Sequence, residues 1–298
     1  MDTSSGFKLG RERDLWRAEF VAMGSPCELL CETDDEDLAW RIARHACREA
    51  ERIDRKFSRY RTDTVVHALH ESRGQPFKLD DETARLIDYG AALWKLSEGA
   101  FDLTSGVLRH AWNFDEGPIA ANTARIPELL ERIGWQRVRW EPPYLTLPEG
   151  MEIDLGGIGK EYAVDRVADW AAELSETPVL VNFGGDLRCC GAAPRNGAWQ
   201  VGIESIAKFG EAAKRIELKS GALATSGDAR RFIEIDGKRY GHIFDARTGW
   251  PAPGTPRSIT VAAATCSQAG SYSTLAMLRG AGAEAFLDAE GVQYWCLR

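Results

Sequence analysis

The chain has no Cys-x-x-Cys pair, no apolar run near the ~20 residues of a membrane-spanning helix, and no excess of basic residues. Its seven cysteines are odd in number and scattered, at Cys27, Cys31, Cys47, Cys189, Cys190, Cys266 and Cys296. That speaks against a zinc site or a thioredoxin-like pair, and for reduced, mostly buried thiols. The net charge of −8 argues against a nucleic-acid partner, because binding a phosphate backbone needs a basic face. It leaves room for a local basic pocket around a small anion. The opening "MDTSSGFKLGRERDLWRAEF" carries charges but no apolar core, so no secretory signal and no membrane association are expected, and the expected location is the cytoplasm. Cys27, in "SPCELL", follows no apolar stretch and is not read as a lipidation site. Internal repeats and low-complexity linkers are missing as well.

What remains is an ordinary globular composition over 298 residues, 44% hydrophobic and 28% charged, with length enough for a sizeable core. Residues 1–20 read as an N-terminal extension and 21–298 as a single domain. In "TDDEDLAWRIARHACREAERIDRKF", Leu38, Ile42, Ala46 and Ile53 recur at near-helical spacing behind a capping Asp34 or Asp35. "LDDETARLIDYGAALWKLSEG" predicts a second helix, with Leu86, Leu93 and Leu96 on one face and Gly99 as its stop. Pro127 opens a third in "IPELLERIG". "RVRW" and "YLTL" read as strands around Pro142-Pro143, and "GKEYAVDRVADWAAEL" as a helix before the buried strand "PVLVNF". From Trp199 the chain turns β-rich. Asp236-Gly237 between alternating runs signals a hairpin, and a last helix is expected from Ser271, before the strand "VQYWCL". Hairpin-linked strands with helices in separate blocks favour an α+β fold.

Several segments combine glycine with charge. In "IDLGGIGKEYAVD", Gly156, Gly157 and Gly159 permit close backbone approach, and Lys160 falls near a helix N-terminus, where phosphate is favoured. The segment lacks Walker A spacing and reads either as a phosphate turn or as a plain tight turn. "VNFGGDLRCCG" offers Gly184, Gly185 and Asp186 as an elbow at a strand end, or a simple turn. "ALATSGDARR" gathers Thr225, Ser226, Asp228, Arg230 and Arg231. "YGHIFDARTGWP" brings in His242, Asp245 and Arg247; in an extended strand His242 and Asp245 take opposite faces, so no dyad is implied. His45, His67, His70 and His110 read as structural or solvated. Tyr60 in "SRYRTD" and Phe101-Asp102 in "GAFDLTSG" could stack on or edge a flat ring, or serve as a surface aromatic and a helix terminator. "CSQAGSYSTLAMLRG" opens a helix with small and hydroxylated residues and no acid, which suits an anion or a metal-bound phosphate.

The ordered set "AMGSPCELL", "FSRYRTD", "GAFDLTSG", "IDLGGIGKEYAVDRVA", "VNFGGDLR", "ATSGDARRFIEIDGKRYGHIFDARTG" and "AGSYSTLAMLRG" resembles the ApbE family, the FAD:protein FMN transferases, from about Met23 to Gly280. The resemblance implies a T-fold-related α+β fold of antiparallel sheets with flanking helices and a flavin cleft between two halves. It implies FAD as substrate and Mg2+ as metal, with FMN passed to a Thr or Ser hydroxyl of an acceptor flavoprotein and AMP released. By similarity Met23, Tyr60, Ala100, Phe101, Asp102, Asp154, Lys160 and Ile243 contact the flavin nucleotide. The resemblance likewise implies His242 as the base for the acceptor hydroxyl, and Gly157 (through its carbonyl) and Thr274 as metal ligands.

The chain also departs from the family. Where the last helix of the family opens with Ala-Asp, this chain has Ala269-Gly270, and Glu161 follows Lys160 where Gly is usual. Loss of the carboxylate at 270 implies weak metal binding without nucleotide, with Asp245 or Asp228 as candidate substitutes. The alternative functions are a flavin-binding protein with weak or no transferase activity, or an FAD pyrophosphatase in which water replaces the acceptor.

Overall fold

The computed structural model describes residues 6–114, 121–208, 210–228 and 231–298; Arg230 lies outside them. Three strands open the chain: β1 (Lys8–Glu12), β2 (Leu15–Ala22) and β3 (Ser25–Cys31). In β2, Trp16, Ala18, Phe20 and Ala22 are buried and the residues between them are not, the period-two alternation of a strand with one face on the core. The stretch 1–20, expected as an extension, therefore supplies β1 and most of β2 to the main sheet.

Helix α1 (Glu36–Phe57) starts at Asp35, whose carboxylate accepts the Leu38 N–H at 3.0 Å. Ile42, Ala46 and Ile53 are buried, as its spacing predicts. The short helix α2 (Val65–His70) and strand β4 (Phe77–Lys78) lead to α3 (Asp81–Leu96), which ends before Gly99 at φ +83°. Leu86 and Leu93 are buried, but Leu96 is 65% exposed. It is the last residue of α3, about 80° round the helix from Leu86, and falls off the packed face. Helix α4 (Ile126–Leu130) has Pro127 in its first turn. Strands β5 (Arg139–Glu141) and β6 (Tyr144–Thr146) then join β4 in a three-stranded sheet.

The second half runs α5 (Gly159–Leu174), β7 (Val179–Phe183), β8 (Asp186–Cys190), β9 (Trp199–Glu204), β10 (Ala212–Leu218) and β11 (Gly221–Gly227). It continues with β12 (Phe232–Ile235), β13 (Lys238–Gly241), β14 (Ser258–Ala263), α6 (Cys266–Leu278), α7 (Ala283–Glu290) and β15 (Gln293–Leu297). Asp236 and Gly237 both have positive φ and close the β12–β13 hairpin. Helix α6 begins at Cys266, not at Ser271 as the sequence suggested. Thr265 caps it by accepting the Gln268 N–H, so its hydroxyl-rich stretch lies largely in the second turn.

The main sheet has eight strands in the order β1-β2-β3-β7-β8-β11-β14-β15, with every neighbouring pair antiparallel. Helices α1, α5 and α6 pack on one face, where Leu29, Val181, Ala222 and Ala224 are fully enclosed. The β9–β10 hairpin covers the other, setting Trp199 and Leu218 against Leu180, Leu187 and Leu223. The fold is α+β, antiparallel sheets with flanking helices. All seven cysteines are free. Among the described residues, no helix is long and apolar enough to cross a membrane.

Candidate functional site

The glycine-rich segments meet at one end of the main sheet. Two tight hairpins lie side by side there. Met23-Gly24 joins β2 to β3, and Gly184-Gly185 joins β7 to β8, each with positive φ at both central residues. A Cβ on Gly184 would come within 2.8 Å of the Ser25 Cβ, so only glycine permits this approach. Asp186, just past the second turn, accepts the Thr225 N–H of β11 at 3.1 Å. Its other oxygen lies 2.6 Å from Lys160 Nζ, in the first turn of α5. Burial works to lower the Lys160 pKa, but Asp186 and then Glu161 outweigh it and the ammonium is held charged.

Beside this pair, α5 meets α6 at Gly270. The Glu161 side chain fills the room a side chain at 270 would need: a Cβ there would sit 2.6 Å from Glu161 Cγ and 2.7 Å from Oε1. Glu161 Oε2 is buried and makes no hydrogen bond among the described residues. Burial, then the field of Asp186, pushes the Glu161 carboxyl up to about 8. Thr274 is one turn beyond Gly270 on the same face of α6. Its hydroxyl lies 3.2 Å from Ser226 Oγ, which lies 2.8 Å from Ser273 Oγ.

The end of α6 itself is not open to an anion. Asp165 of α5 accepts the Cys266 N–H and the Ser267 N–H, each at 2.8 Å, and the Ser267 hydroxyl at 2.7 Å. The protein's own carboxylate thus occupies the positive end of that helix dipole.

His242 follows β13 with Nδ1 3.3 Å from the Arg231 carbonyl and the Phe114 ring set edge-on at 6.2 Å. Burial first, then the Arg231 charge, pushes its pKa down to about 4, with Lys160 contributing in the same direction. The imidazole is therefore neutral at pH 7. Asp245 forms no dyad with it; its carboxylate takes the Arg247 backbone N–H at 2.9 Å and the Arg247 guanidinium at 2.7 Å. Asp228 is held by Arg257 and Arg239.

The remaining expected residues approach from the first half. Ala100 is buried, and its carbonyl accepts the Ala246 N–H at 2.9 Å, tying "GAFD" to "FDARTG". The Phe101 ring lies 3.3 Å from where a Gly157 Cβ would stand. Asp102 turns its carboxylate inward, to the Thr104 and Trp135 N–H groups at 2.8 Å each, so that side chain holds the loop. Asp154 pairs with Arg59 and accepts the Gly156 N–H at 2.8 Å. Arg59 also lies over the Tyr60 ring at 5.0 Å and bonds its hydroxyl, linking that exposed aromatic to Asp154. Met23 and Ile243 are half-buried against the core.

Two features escaped the sequence reading: Asp186 as the partner of Lys160, and Glu161 as the acid facing Gly270. Their signals were a Gly-Gly-Asp turn and a Glu where the family has Gly. Among the described residues no cluster of three or more His, Cys, Asp or Glu side chains is arranged for a metal. A hollow of about 420 Å3 bordered by Lys214, Leu223 and Trp295 lies on the opposite sheet face.

The fold and these turns define an α+β protein in which a lysine–aspartate pair lies at one sheet end, beside an acid with one oxygen unpaired among the described residues. The ApbE family profile matches residues 23–295, and the chain belongs to the ApbE family. It is 30% identical over 244 residues to an FAD:protein FMN transferase of Vibrio cholerae, covering 77% of this chain and 71% of that one. It is 29% identical over 238 residues to one of Haemophilus influenzae, covering 74% and 68%. The solved ApbE protein of Thermotoga maritima superposes with a TM-score of 0.86 at 29% identity, over 95% of this chain and 94% of that one. The flavinyl transferase ApbE of Pseudomonas stutzeri gives 0.80 at 26% identity, over 100% and 93%.

Proposed function

We propose that this chain is an FAD:protein FMN transferase, moving FMN from FAD to a Thr or Ser hydroxyl of an acceptor flavoprotein and releasing AMP. The carrying observation is the match to the ApbE family over residues 23–295, with Lys160 set against the Gly184 turn and paired with Asp186. The names of the Vibrio and Haemophilus relatives support the same activity.

In this reading Tyr60, Phe101, Met23 and Ile243 border the flavin, and Ala100 and Asp102 shape the loop that carries Phe101. Asp154, steadied by Arg59, and Lys160 hold the nucleotide, with the Lys160 ammonium facing the diphosphate. His242 donates from Nδ1 to the Arg231 carbonyl, which leaves Nε2 to accept the proton of the acceptor hydroxyl. The hydroxyl oxygen bonds to the FMN phosphorus, the bond from that phosphorus to the AMP oxygen breaks, and AMP departs. A divalent cation such as Mg2+ supplies neutralisation of the diphosphate charge when bound. By resemblance the Thr274 hydroxyl and the Gly157 carbonyl would hold it, and Glu161 offers an oxygen without a partner among the described residues. The free thiols support acceptors met in the cytoplasm.

Incubation with FAD, Mg2+ and an acceptor domain, followed by mass spectrometry, tests the reading: a covalent FMN adduct is expected. FAD binding without any adduct refutes it. His242→Ala should abolish the adduct and leave FAD bound; loss of FAD binding instead refutes the role as base. The glycine at 270 favours one competing reading, a flavin-binding protein of weak or no transfer or an FAD pyrophosphatase, which the same experiment detects as bound FAD or as free FMN and AMP.

A further inference from the structure

The acids near these turns are almost all spent. Asp186 is neutralised by Lys160, Asp165 holds Arg188 and the start of α6, and Asp228 and Asp245 are locked to arginines. Glu161 is the exception. One oxygen is sealed from solvent with no partner among the described residues, and the side chain lies against the bare face of Gly270. An apolar side chain could fill the same gap without leaving a buried acceptor unsatisfied, which is costly. The carboxyl group retained in such a place has an oxygen available to an arriving cation. Lys160 acts on it through its charge, but the ammonium makes its ion pair with Asp186 at 2.6 Å and leaves Glu161 Oε2 without a hydrogen bond among the described residues.

We propose that Glu161 is the carboxylate ligand of a divalent cation in this chain, reaching across the α5–α6 contact into the space that Gly270 leaves open. The surroundings suit a hard, oxygen-seeking ion: Thr274 is one turn from Gly270 on the same helix face, and its hydroxyl belongs to the Ser226–Ser273 cluster. One carboxylate and neutral oxygens make a weak site alone; oxygens of a bound diphosphate complete it, and for that completion the inference rests on the transferase reading. The acid that 270 lacks is thus carried by the neighbouring helix. The two departures are one exchange, because a Cβ at 270 and a Glu at 161 compete for the same volume.

The test uses the full chain and Mn2+ as probe, read by electron paramagnetic resonance with and without FAD, while flavin fluorescence reads FAD binding without metal. Glu161→Gln keeps the shape and removes the charge. It should weaken Mn2+ binding about tenfold or more and leave metal-free FAD affinity within about twofold. The exchange variant, Glu161→Gly with Gly270→Asp, should restore Mn2+ binding above the Glu161→Gln level. Unchanged Mn2+ affinity in Glu161→Gln overturns the proposal, and so does an exchange variant that is folded by circular dichroism yet binds Mn2+ no better than Glu161→Gln. If the wild-type chain fails to bind FAD, the transferase reading falls on its own, and the effect of Glu161→Gln on Mn2+ alone still decides this inference.

Discussion

The neutral state of His242 makes a prediction that separates a working base from an ordinary histidine. Burial and the Arg231 charge lower its pKa to about 4, against ~6.5 for a free imidazole. At pH 5.5 a group titrating at ~6.5 is about 90% protonated, whereas one titrating at ~4 is about 3% protonated. If His242 accepts the acceptor proton, kcat/KM for transfer should stay nearly level from pH 8 to 5.5, where an unshifted base would lose about tenfold. The stability consequence has a definite sign. Between pH 6.5 and 4 the unfolded chain binds a proton at this position that the folded chain refuses, so stability falls as pH falls through that window. The loss has a ceiling of about 3 kcal/mol, reduced toward about 1–2 kcal/mol because the ring is only partly enclosed. Imidazole 15N resonances followed from pH 8 to 4, assigned against His242→Gln, measure the titration directly. A His242 midpoint near 6.5 refutes the electrostatic reasoning. A midpoint near 4 combined with a steep loss of transfer above pH 5.5 refutes its role as base.

Three other perturbations follow from the same geometry. Gly270→Ala drives a Cβ to within 2.6 Å of Glu161 Cγ and should cost about 1–3 kcal/mol in calorimetric unfolding, with relief in a Glu161→Gly background. Asp186→Asn leaves the Lys160 ammonium without its counter-ion and should lower stability to urea by about 2–4 kcal/mol; an unmoved midpoint would mean that solvent already screens the pair. Asp165→Ala leaves the first two amides of α6 without their acceptor and should cost about 2–3 kcal/mol, with faster hydrogen exchange at the Cys266 and Ser267 amides as its local mark.

Local grammar was readable where one element sets its own terms. The Asp35 cap, the Gly99 stop and the Asp236-Gly237 turn arise from contacts a few residues apart, and all three occur as the sequence indicates. Longer-range features escaped. The start of α6 depends on an acid from α5, more than a hundred positions earlier in the chain, that satisfies its first amides, so spacing alone began the helix too late. Leu96 carries the right periodicity and still faces solvent, because periodicity does not reveal where the neighbouring core ends. Asp102 shows the same limit at the site: nothing in "GAFD" reveals that its carboxylate secures the Thr104 and Trp135 N–H groups.

The sequence by itself determined the class of fold, the family and the segments that carry the chemistry, because glycine turns, helix caps and period-two strands are encoded by neighbouring residues. It also registered both departures, Gly270 and Glu161. Only the tertiary structure places them against each other, for whether one side chain reaches the space beside a glycine is a matter of the volume between two packed helices. The same holds for the acids proposed from sequence to replace it. Asp228 and Asp245 have the right chemistry, but their arginine partners, brought in by the fold, leave Glu161 as the acid with an oxygen to spare.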